Sequence, residues 1–354
     1  MEVSTITNEG IARTREPRSY ASNGVVAEPT SDIRSSRSPV ISLIVPVLNE
    51  ACAIPIFLQA IANVLDSKAY EYEVLFIDDG SSDETLSVLN ECCRADSRIR
   101  VVSFTRNFGK EAAISAGLDF CRGDVVIPMD VDLQDPPELI PAFIDSWRQG
   151  YDVVCGVRER RDSDSFLKRY TAQCFYRVFN RFSSTKLTEN AGDFRLLDRR
   201  VVEVLRRLPE RTRFMKGLYA WVGFRTTAVT YSRPARSAGD TKWRGWTLWN
   251  FALDGLLGFS TLPLRAWTYV GVCIAVATFI YALVITVRTL YLGIDVPGYA
   301  SILVSIMFFS GIQLMTLGIL GEYIGRLFQE SKGRPLYIVD AVIERGDAAP
   351  TPGD

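Results

Sequence analysis

Histidine is absent from this chain of 354 residues. Without imidazole there is no histidine general base, no histidine metal ligand and no Ser-His-Asp triad. Seven cysteines are present, but none forms a Cys-x-x-Cys pair with another. We therefore interpret the cysteines as reduced thiols and expect any metal to be held mainly by oxygen ligands.

Two nucleotide-binding signatures are also missing. The sequence contains neither a G-x-G-x-x-G fingerprint nor a Walker lysine motif, which removes support for a dehydrogenase or a P-loop protein. The net charge is −1, from 40 Lys and Arg against 41 Asp and Glu. Because no strong basic field surrounds the chain, a nucleic-acid partner is not indicated.

The middle of the chain alternates short apolar runs with helical patterns. The apolar runs are Ile41–Val47, Val74–Ile77, Val101–Phe104, Val125–Met129 and Val153–Val157. The helical patterns between them are Ala53–Leu65, Asp83–Cys93, Lys110–Cys121 and Pro137–Arg148. This alternation predicts an α/β fold with a mainly parallel sheet. Ligands of such sheets bind beyond the carboxyl ends of the strands, so the polar residues that follow each strand are the candidates for a site.

Two carboxylates, Asp130 and Asp132, directly follow the fourth apolar run. In an extended chain alternate side chains point the same way, so both are expected to face one site. Two carboxylates alone repel each other, which makes a divalent cation their natural partner. Mg²⁺ or Mn²⁺ prefers oxygen ligands, and the phosphates of a substrate complete its coordination shell.

Other strand ends carry polar groups of different kinds. The first strand ends in Pro46–Glu50, the second in Asp78-Asp79-Gly80, and the third in Arg106–Lys110. An acidic side chain such as Asp79 can accept hydrogen bonds from a base or a ribose. A glycine beside a helix N-terminus, here Gly109, lets a phosphate or ribose approach backbone N–H groups.

Basic side chains cluster after the fifth strand and again ahead of the apolar C-terminal region. The two clusters comprise Arg158, Arg160, Arg161, Lys168 and Arg169, and Arg233, Arg236, Lys242 and Arg244. Three interpretations of these clusters stay open. They attract anionic lipid headgroups, they capture substrate phosphates, or they form an ordinary solvated surface.

Two uncharged runs near the C-terminus, Trp267–Val287 and Tyr299–Gly321, are each long enough to cross a hydrocarbon core of about 30 Å. We predict two transmembrane helices within residues 266–323. A mobile loop and interfacial, aromatic-rich helices are expected at 236–265. The Lys and Arg bias places both ends of the pair in the cytoplasm, so the protein is expected in the plasma (inner) membrane as a multi-pass protein.

The remaining boundaries follow from composition. Residues 1–39 lack apolar periodicity and are expected to form a disordered tail. Residues 40–235 form the predicted cytosolic catalytic domain, and residues 324–354 a cytosolic tail. Both termini are then cytoplasmic.

Five motifs carry a family resemblance when they are taken together and in order. They are P-V-L-N-E at Pro46, D-D-G-S-S-D at Asp78, R-N-F-G-K at Arg106, M-D-V-D-L-Q-D-P-P-E at Met129 and A-G-D-F-R at Ala191. The chain resembles family 2 glycosyltransferases of the GT-A fold, a Rossmann-like α/β architecture. It looks most like the polyprenyl-phosphate glycosyltransferases, a group that includes dolichol-phosphate mannose synthase and the bacterial bactoprenol glucosyltransferases. Two C-terminal membrane helices favour the bacterial branch.

The resemblance implies a role for each matching position. The positions that line the nucleotide sugar are Pro46, Leu48, Glu50, Asp79, Gly109, Lys110 and Asp130. The implied metal ligands are Asp132 and Gln134, with Asp130 on the diphosphate side. The acceptor phosphate falls to Arg158 and Arg169. Lys242 matches a mobile loop that closes over the diphosphate, so the implied catalytic residues are Asp130, Asp132 and Lys242. The loop reads Thr-Lys-Trp where the family often has Ser-Lys-Tyr.

The implied reaction is an inverting transfer of a hexose from a nucleotide sugar, with UDP-glucose favoured, to polyprenyl (undecaprenyl) phosphate. GDP-mannose and a UDP-amino sugar remain alternative donors. The second pKa of a phosphate is about 6, so the attacking oxygen is largely ionised without a strong general base. A membrane-tethered nucleotide-sugar sensor or a flippase subunit is the alternative from a different class. A processive synthase is disfavoured because there is no Q-x-x-R-W motif, and the sequence leaves homo-oligomer formation open.

Overall fold

A computed structural model of the chain describes residues 38–158, 191–211, 213–231 and 298–345, together with part of the stretch 269–291. The residues described in that last stretch are helical. Residues 1–37 and 232–268 hold most of the predicted tail and the predicted mobile loop, and they lie outside the described residues.

One eight-stranded sheet organises the described part of the chain. Its strands are β1 (Ile41–Val47), β2 (Tyr72–Asp78), β3 (Ile99–Phe104), β4 (Val125–Pro128), β5 (Val153–Arg158), β6 (Ala191–Asp198), β7 (Thr226–Tyr231) and β8 (Val339–Ile343). Their order in the sheet is β7-β5-β6-β4-β1-β2-β3-β8. The central strands β4, β1, β2 and β3 are parallel, while β6 and β8 run antiparallel to their neighbours. The predicted α/β fold with a mainly parallel sheet is therefore confirmed.

Helices cover both faces of this sheet. They are α1 (Ala53–Leu65), α2 (Thr85–Ala95), α3 (Lys110–Phe120), α4 (Ile140–Arg148), α5 (Arg199–Arg207) and α6 (Met215–Trp221). A further helix, α7, spans Tyr299–Ser331. Short 3₁₀ turns at Asp66–Lys68 and Pro137–Leu139 join α1 to β2 and lead into α4. The two buried faces explain why the central strands are apolar along their whole length.

Alternate residues of β1 feed two separate cores. Leu43 points to one face, where Phe57 of α1 and Phe143 of α4 pack. Ile44 points to the other face, where Ile114 of α3 lies. The side chains of Leu43, Ile44, Phe57 and Phe143 are fully buried. The period of two along each strand thus sorts its side chains between the two helical layers.

The structure shifts several predicted boundaries and adds three strands. Strand β4 ends at Pro128 rather than Met129, and the helix predicted from Pro137 begins with a 3₁₀ turn. Strands β6, β7 and β8 were not predicted as strands. The last of them, Val339–Ile343, falls in the segment interpreted as a tail, yet it pairs with β3 at the sheet edge.

The long helix α7 has 33 residues and exposes many large apolar side chains, among them Leu314 at 71% and Leu327 at 68%. Within the part of the chain that the structure describes, no helix combines the length and apolarity needed to span a bilayer. The predicted pair of transmembrane helices therefore stays a prediction.

Candidate active site

The strand order reverses at the centre of the sheet, between β1 and β4. The chain passes from β1 outward to β2 and β3, then returns to the other side of β1 as β4. Such a reversal opens a crevice at the carboxyl ends of the strands. The loops after β1, β2, β3 and β4 meet there, together with the start of antiparallel β6. The fold therefore gathers the predicted donor-side residues at one edge of the sheet.

The loop after β1 is tied to the loop after β2 through Asn49. Its φ of 55° is left-handed, a conformation that asparagine tolerates better than most residues. The Asn49 backbone N–H donates to Ser81 Oγ at 2.9 Å, and the Ser82 N–H donates to Asn49 Oδ1 at 2.8 Å. The Glu50 N–H donates to Thr85 Oγ1 at 2.9 Å. These bonds fix the segment that carries Pro46, Leu48 and Glu50.

Asp79 fastens the loop after β3 to the end of β2. Its carboxylate accepts the Phe108 N–H at 2.6 Å and the Gly109 N–H at 2.9 Å. Burial raises the pKa of this carboxyl above its usual value, against the effect of the two N–H donors. The predicted contact of Asp79 with a nucleotide stays a prediction, since both carboxylate oxygens already hold this loop.

Two glycines make the close approach of these loops feasible. Gly80 has a φ of 71°, and a Cβ at this position would lie 2.5 Å from the backbone carbon of Arg106. Gly109 has a φ of 97° and sits at the N-terminus of α3. Side chains other than glycine rarely adopt these angles. The D-D-G and F-G-K motifs therefore need their glycines for the backbone geometry.

A series of ion pairs runs from Asp130 to Asp193 of β6. Lys110 Nζ lies 2.6 Å from Asp130 Oδ1 and 3.2 Å from Asp193 Oδ2. Lys216 Nζ lies 4.0 Å from the other oxygen of Asp193. Asp130 and Lys110 are each about one third exposed, at 37% and 35% of their side chains. Asp130 is therefore more open to solvent than Asp193, whose side chain is 21% exposed.

The pKa values of Asp193 and Lys110 follow from the charges around them. Burial acts to raise the pKa of Asp193, but the charges of Lys216, Lys110 and Arg195 outweigh it and hold that pKa well below its usual range. Burial acts to lower the pKa of Lys110, and the two aspartates reverse the effect and raise it. Asp193 and Lys110 are thus both ionised near neutral pH.

A neighbouring carboxyl, Glu111, behaves differently. Burial, followed by the charge of Asp193, raises the pKa of Glu111 to about 7. Its carboxyl accepts the Met215 backbone N–H at 3.0 Å. It therefore titrates close to neutral pH while holding the start of α6, the helix that carries Lys216.

The segment from Asp130 to Asp132 is a turn rather than the predicted extended chain, because β4 ends two residues earlier. Val131 is 5% exposed, whereas its two acidic neighbours are partly exposed. Asp132 Oδ1 accepts the Gln134 N–H at 3.1 Å. Asp130 and Asp132 are therefore both partly exposed, but a turn rather than an extended chain places them.

The turn is braced from β7. The Tyr231 hydroxyl donates to Asp135 Oδ1, and Asp135 is only 4% exposed. Leu133 has a left-handed φ of 53°, a strained angle for a leucine. Strain of this kind persists only where the surrounding structure holds it in place.

The residues present fit a divalent cation. Gln134 is 8% exposed, and its Oε1 has no hydrogen-bond partner within the structure described. A buried amide oxygen without a donor is costly unless a cation or another donor meets it. The described residues contain no cluster of three or more Cys, Asp or Glu suited to a metal. Magnesium commonly uses one or two carboxylates, with substrate phosphates supplying further ligands, which matches the oxygens of Asp130, Asp132 and Gln134.

Comparison with known proteins decides the family. Residues 42–206 match Glycosyl transferase family 2. A mannosyltransferase structure from Pyrobaculum calidifontis, in complex with GDP-Man and Mn²⁺, aligns with a TM-score of 0.40 and 16% identity over 84% of this chain and 87% of that chain. The prophage bactoprenol glucosyl transferase homolog of Escherichia coli K12 is 51% identical over 302 residues, which cover 85% of this chain and 99% of that protein. The bactoprenol glucosyl transferase of Shigella phage SfV is 52% identical over 84% of this chain and 97% of that protein.

The chain belongs to glycosyl transferase family 2. Its recognition from five short motifs is confirmed by these relatives. Ligands of sheets with such a strand reversal bind in the crevice at the carboxyl ends of the strands.

Some predicted site residues of this transferase lie outside the described residues. Arg158 ends β5, where its backbone is paired in register with Tyr231, but its side chain is outside the description. Arg169 and Lys242 are outside it altogether. The acceptor-phosphate and mobile-loop roles therefore remain predictions.

Three charged residues of the candidate site were missed by sequence reasoning. Asp193 lies within the A-G-D-F-R motif, so the motif was the available signal, although no role was assigned to it. Glu111 and Lys216 carried no signal, because one looks like an ordinary first-turn acid of a helix and the other like a surface lysine. Only the packing of α3, α6 and β6 brings Glu111 and Lys216 close to Asp193.

Proposed function

We propose that this family 2 transferase moves a hexose, in the first place glucose from UDP-glucose, onto polyprenyl phosphate with inversion at the sugar. The observation that carries the proposal is the near full-length similarity to proteins named bactoprenol glucosyl transferases. The acidic crevice at the strand reversal supports it independently, because it offers oxygen ligands at the place where a sugar nucleotide would bind.

The donor side is proposed to use Mg²⁺ or Mn²⁺ held by Asp132, Gln134 and Asp130. When bound, the cation would neutralise charge on the departing nucleoside diphosphate. Asp130 is engaged by Lys110 at 2.6 Å, so this lysine must shift toward Asp193 or a phosphate when a cation arrives. Its 3.2 Å contact with Asp193 gives it a second anionic partner.

The acceptor side needs orientation more than proton removal. A phosphate monoester has a second pKa of about 6, so its oxygen is ionised near neutral pH. Its attack on the sugar from the face opposite the diphosphate gives inversion in a single displacement. Arg158, Arg169 and Lys242 are the proposed basic contacts, because guanidinium and ammonium groups suit phosphate oxygens. The absence of histidine fits a reaction without a dedicated base.

A membrane location in the plasma (inner) membrane is part of the proposal, since a polyprenyl chain is insoluble in water. Supporting observations are the two uncharged runs Trp267–Val287 and Tyr299–Gly321 and the exposed apolar side chains of α7. Exposed apolar surface of this extent marks contact with lipid or with another protein. The catalytic domain and both termini are proposed to be cytoplasmic.

Turnover by the purified full chain tests the proposal. The enzyme would be incubated with undecaprenyl phosphate, Mn²⁺ or Mg²⁺, and in turn UDP-glucose, GDP-mannose and a UDP-amino sugar. The expected result is a glucosylated lipid phosphate from UDP-glucose, with loss of product in excess chelator. Product from another donor would correct the sugar, and full activity in chelator would remove the cation. Binding of a sugar nucleotide without turnover would favour the sensor or flippase-subunit alternative.

A further inference from the structure

The segment after α7 returns to the catalytic sheet and lies against the loop that carries the donor-side residues. Strand β8 pairs antiparallel with β3, whose end leads into Arg106–Lys110. The Thr105 N–H donates to the Ile338 carbonyl at 3.2 Å. The chain therefore places its C-terminal strand directly beside the loop that Asp79 holds.

Tyr337 is the side chain at the centre of this contact. Its ring stacks on Phe104, with ring centroids 5.0 Å apart and an angle of 12° between the planes. Phe104 in turn meets Phe108 edge-on, at 5.8 Å and 90°. The Phe108 N–H is one of the two donors to Asp79. An unbroken aromatic series thus links Tyr337 to the backbone of the donor loop.

The hydroxyl of Tyr337 reaches a second element. It donates to Asp119 Oδ2 at 2.6 Å, near the C-terminus of α3. The first residue of α3 is Lys110, which pairs with Asp130. One side chain therefore contacts both the strand that precedes the donor loop and the helix that follows it.

The far ends of the returning segment are anchored as well. Glu330, near the end of α7, accepts the Arg211 backbone N–H at 3.0 Å. Glu344, just after β8, pairs with Arg100 at 2.9 Å and with Arg122 at 2.8 Å. Because these contacts hold the segment on both sides of Tyr337, the fold restricts where its ring can lie.

We propose that Tyr337 is a positioning residue for the donor site, which fixes the Arg106–Lys110 loop through the stack of its ring on Phe104. Tyr337 acts through Phe104 and Phe108 rather than by contact with the sugar nucleotide or a cation. It also connects the donor loop to α7, since only a short connector separates Tyr337 from the end of that helix. The inference rests on the proposed function only for the identity of the donor.

Hydrogen exchange of the purified full chain tests the structural part without any donor. An aromatic pair contributes about 0.5–1.5 kcal/mol, so Tyr337→Ala is expected to speed exchange at the Phe108 and Gly109 amides by about two- to tenfold. Tyr337→Phe keeps the ring and is expected to retain their protection. The matched control is Val342→Ala, which removes a partly exposed apolar side chain from β8, the strand that follows Tyr337. If Tyr337→Ala folds poorly, Tyr337→Leu replaces it.

Unchanged exchange in residues 105–113 of Tyr337→Ala would overturn the proposal. So would an equal increase in α1, because the residue would then support global stability alone. Donor binding gives the second readout, measured with UDP-glucose and Mn²⁺. The expected result is an increase of about two- to tenfold in KM for UDP-glucose, with KM for undecaprenyl phosphate unchanged and rescue in Tyr337→Phe. Failure of the wild-type chain to bind UDP-glucose would count against the proposed donor, while the exchange result would still decide the role of Tyr337.

Discussion

Polar groups are buried at both edges of the central sheet, but the two edges differ in how well these groups are hydrogen-bonded. At the amino edge, Glu73 accepts the Ser42 hydroxyl at 2.5 Å and the Arg122 N–H at 2.6 Å, and it pairs with Arg100 at 2.9 Å. Arg100 also bonds the Phe120 carbonyl. At the carboxyl edge, Gln134 Oε1 and Asp193 Oδ1 are buried without a hydrogen-bond donor in the described structure.

The difference separates a structural network from a site. A buried charge whose partners are all supplied by the fold stabilises one arrangement and has no capacity left for a ligand. A buried polar atom without a donor costs free energy in the isolated protein, so the arrangement makes sense when a ligand supplies the missing partner. Substitutions at the carboxyl edge should therefore change binding or turnover, and those at the amino edge should change stability.

The largest expected effect is on turnover, from Asp132→Asn. Loss of one carboxylate at the proposed cation site is expected to lower kcat by about 10³-fold, comparable to removing one preorganised group that stabilises developing charge. The melting temperature should stay within a degree or two of the wild type, because the side chain is partly exposed. Steady-state kinetics and thermal unfolding would measure the two quantities.

The control for this substitution is Asp145→Asn, on the exposed face of α4, where the side chain is 66% exposed. It should leave both quantities unchanged. Retention of wild-type kcat in Asp132→Asn would place the cation, or the site itself, elsewhere.

The second effect is on stability, from Glu73→Ala. Removing this carboxylate takes from Arg100, which is 5% exposed, one of its two ion-pair partners among the described residues; the other, Glu344, lies 2.9 Å away. Breaking a buried ion pair in this way typically costs about 3–5 kcal/mol. Denaturant unfolding should show that loss, while the KM for the donor should not change in the protein that remains folded. Glu71→Ala, at an exposed position two residues earlier, is the matched control, and equal stability of the two variants would contradict the comparison.

The sequence predicted the elements that have strong local signals. The five apolar runs became β1 to β5 because each is buried on both faces, and the polar residues after them gathered at one edge because parallel strands share their direction. The metal site at Asp130 and Asp132 stays a prediction, which depends on two carboxylates that directly follow a buried strand.

The remaining features depend on packing that is remote in sequence. Strand β8 is a short stretch with alternating exposure, and only its pairing with β3, over 200 residues earlier in the chain, makes it a strand. The pairing of Lys110 with Asp193 joins α3 to β6, two elements whose contact no local pattern encodes. Strain at Leu133 was equally invisible, because leucine is not a residue that signals a left-handed angle.

A third, smaller effect concerns the competition at Asp130. If Lys110 occupies a carboxylate that a cation also needs, Lys110→Met should strengthen Mn²⁺ binding in the absence of nucleotide. A partly exposed ion pair contributes up to about 1 kcal/mol, so the gain in affinity should be about fivefold. Calorimetric titration with Mn²⁺ would measure this gain. The control is Lys68→Met, at an exposed lysine that is remote in sequence from Lys110. Unchanged or weaker Mn²⁺ binding would show that Asp130 does not hold the cation.

The smallest effect is a change in pH dependence at Glu111, which lies at the carboxyl edge but is satisfied by the Met215 N–H. Its pKa is about 7 in the folded chain against an ordinary value of 4.5. Between these values the folded state keeps a proton that the unfolded state has released, so stability falls as pH rises through this window and levels off above about 7. Glu111→Gln cannot titrate, and its amide oxygen can still accept the Met215 N–H.

Thermal unfolding from about pH 5 to about pH 8 should therefore show a flatter profile for Glu111→Gln than for the wild type, with the variant gaining relative stability toward the alkaline end. Glu91→Gln, on the exposed face of α2, should follow the wild-type profile. Parallel profiles for Glu111→Gln and the wild type would mean that the Glu111 carboxyl is already ionised at acidic pH. Its burial beside Asp193 would then be balanced by Lys110 and Lys216, and Glu111 would belong with the closed ionic networks of the amino edge rather than with the open site.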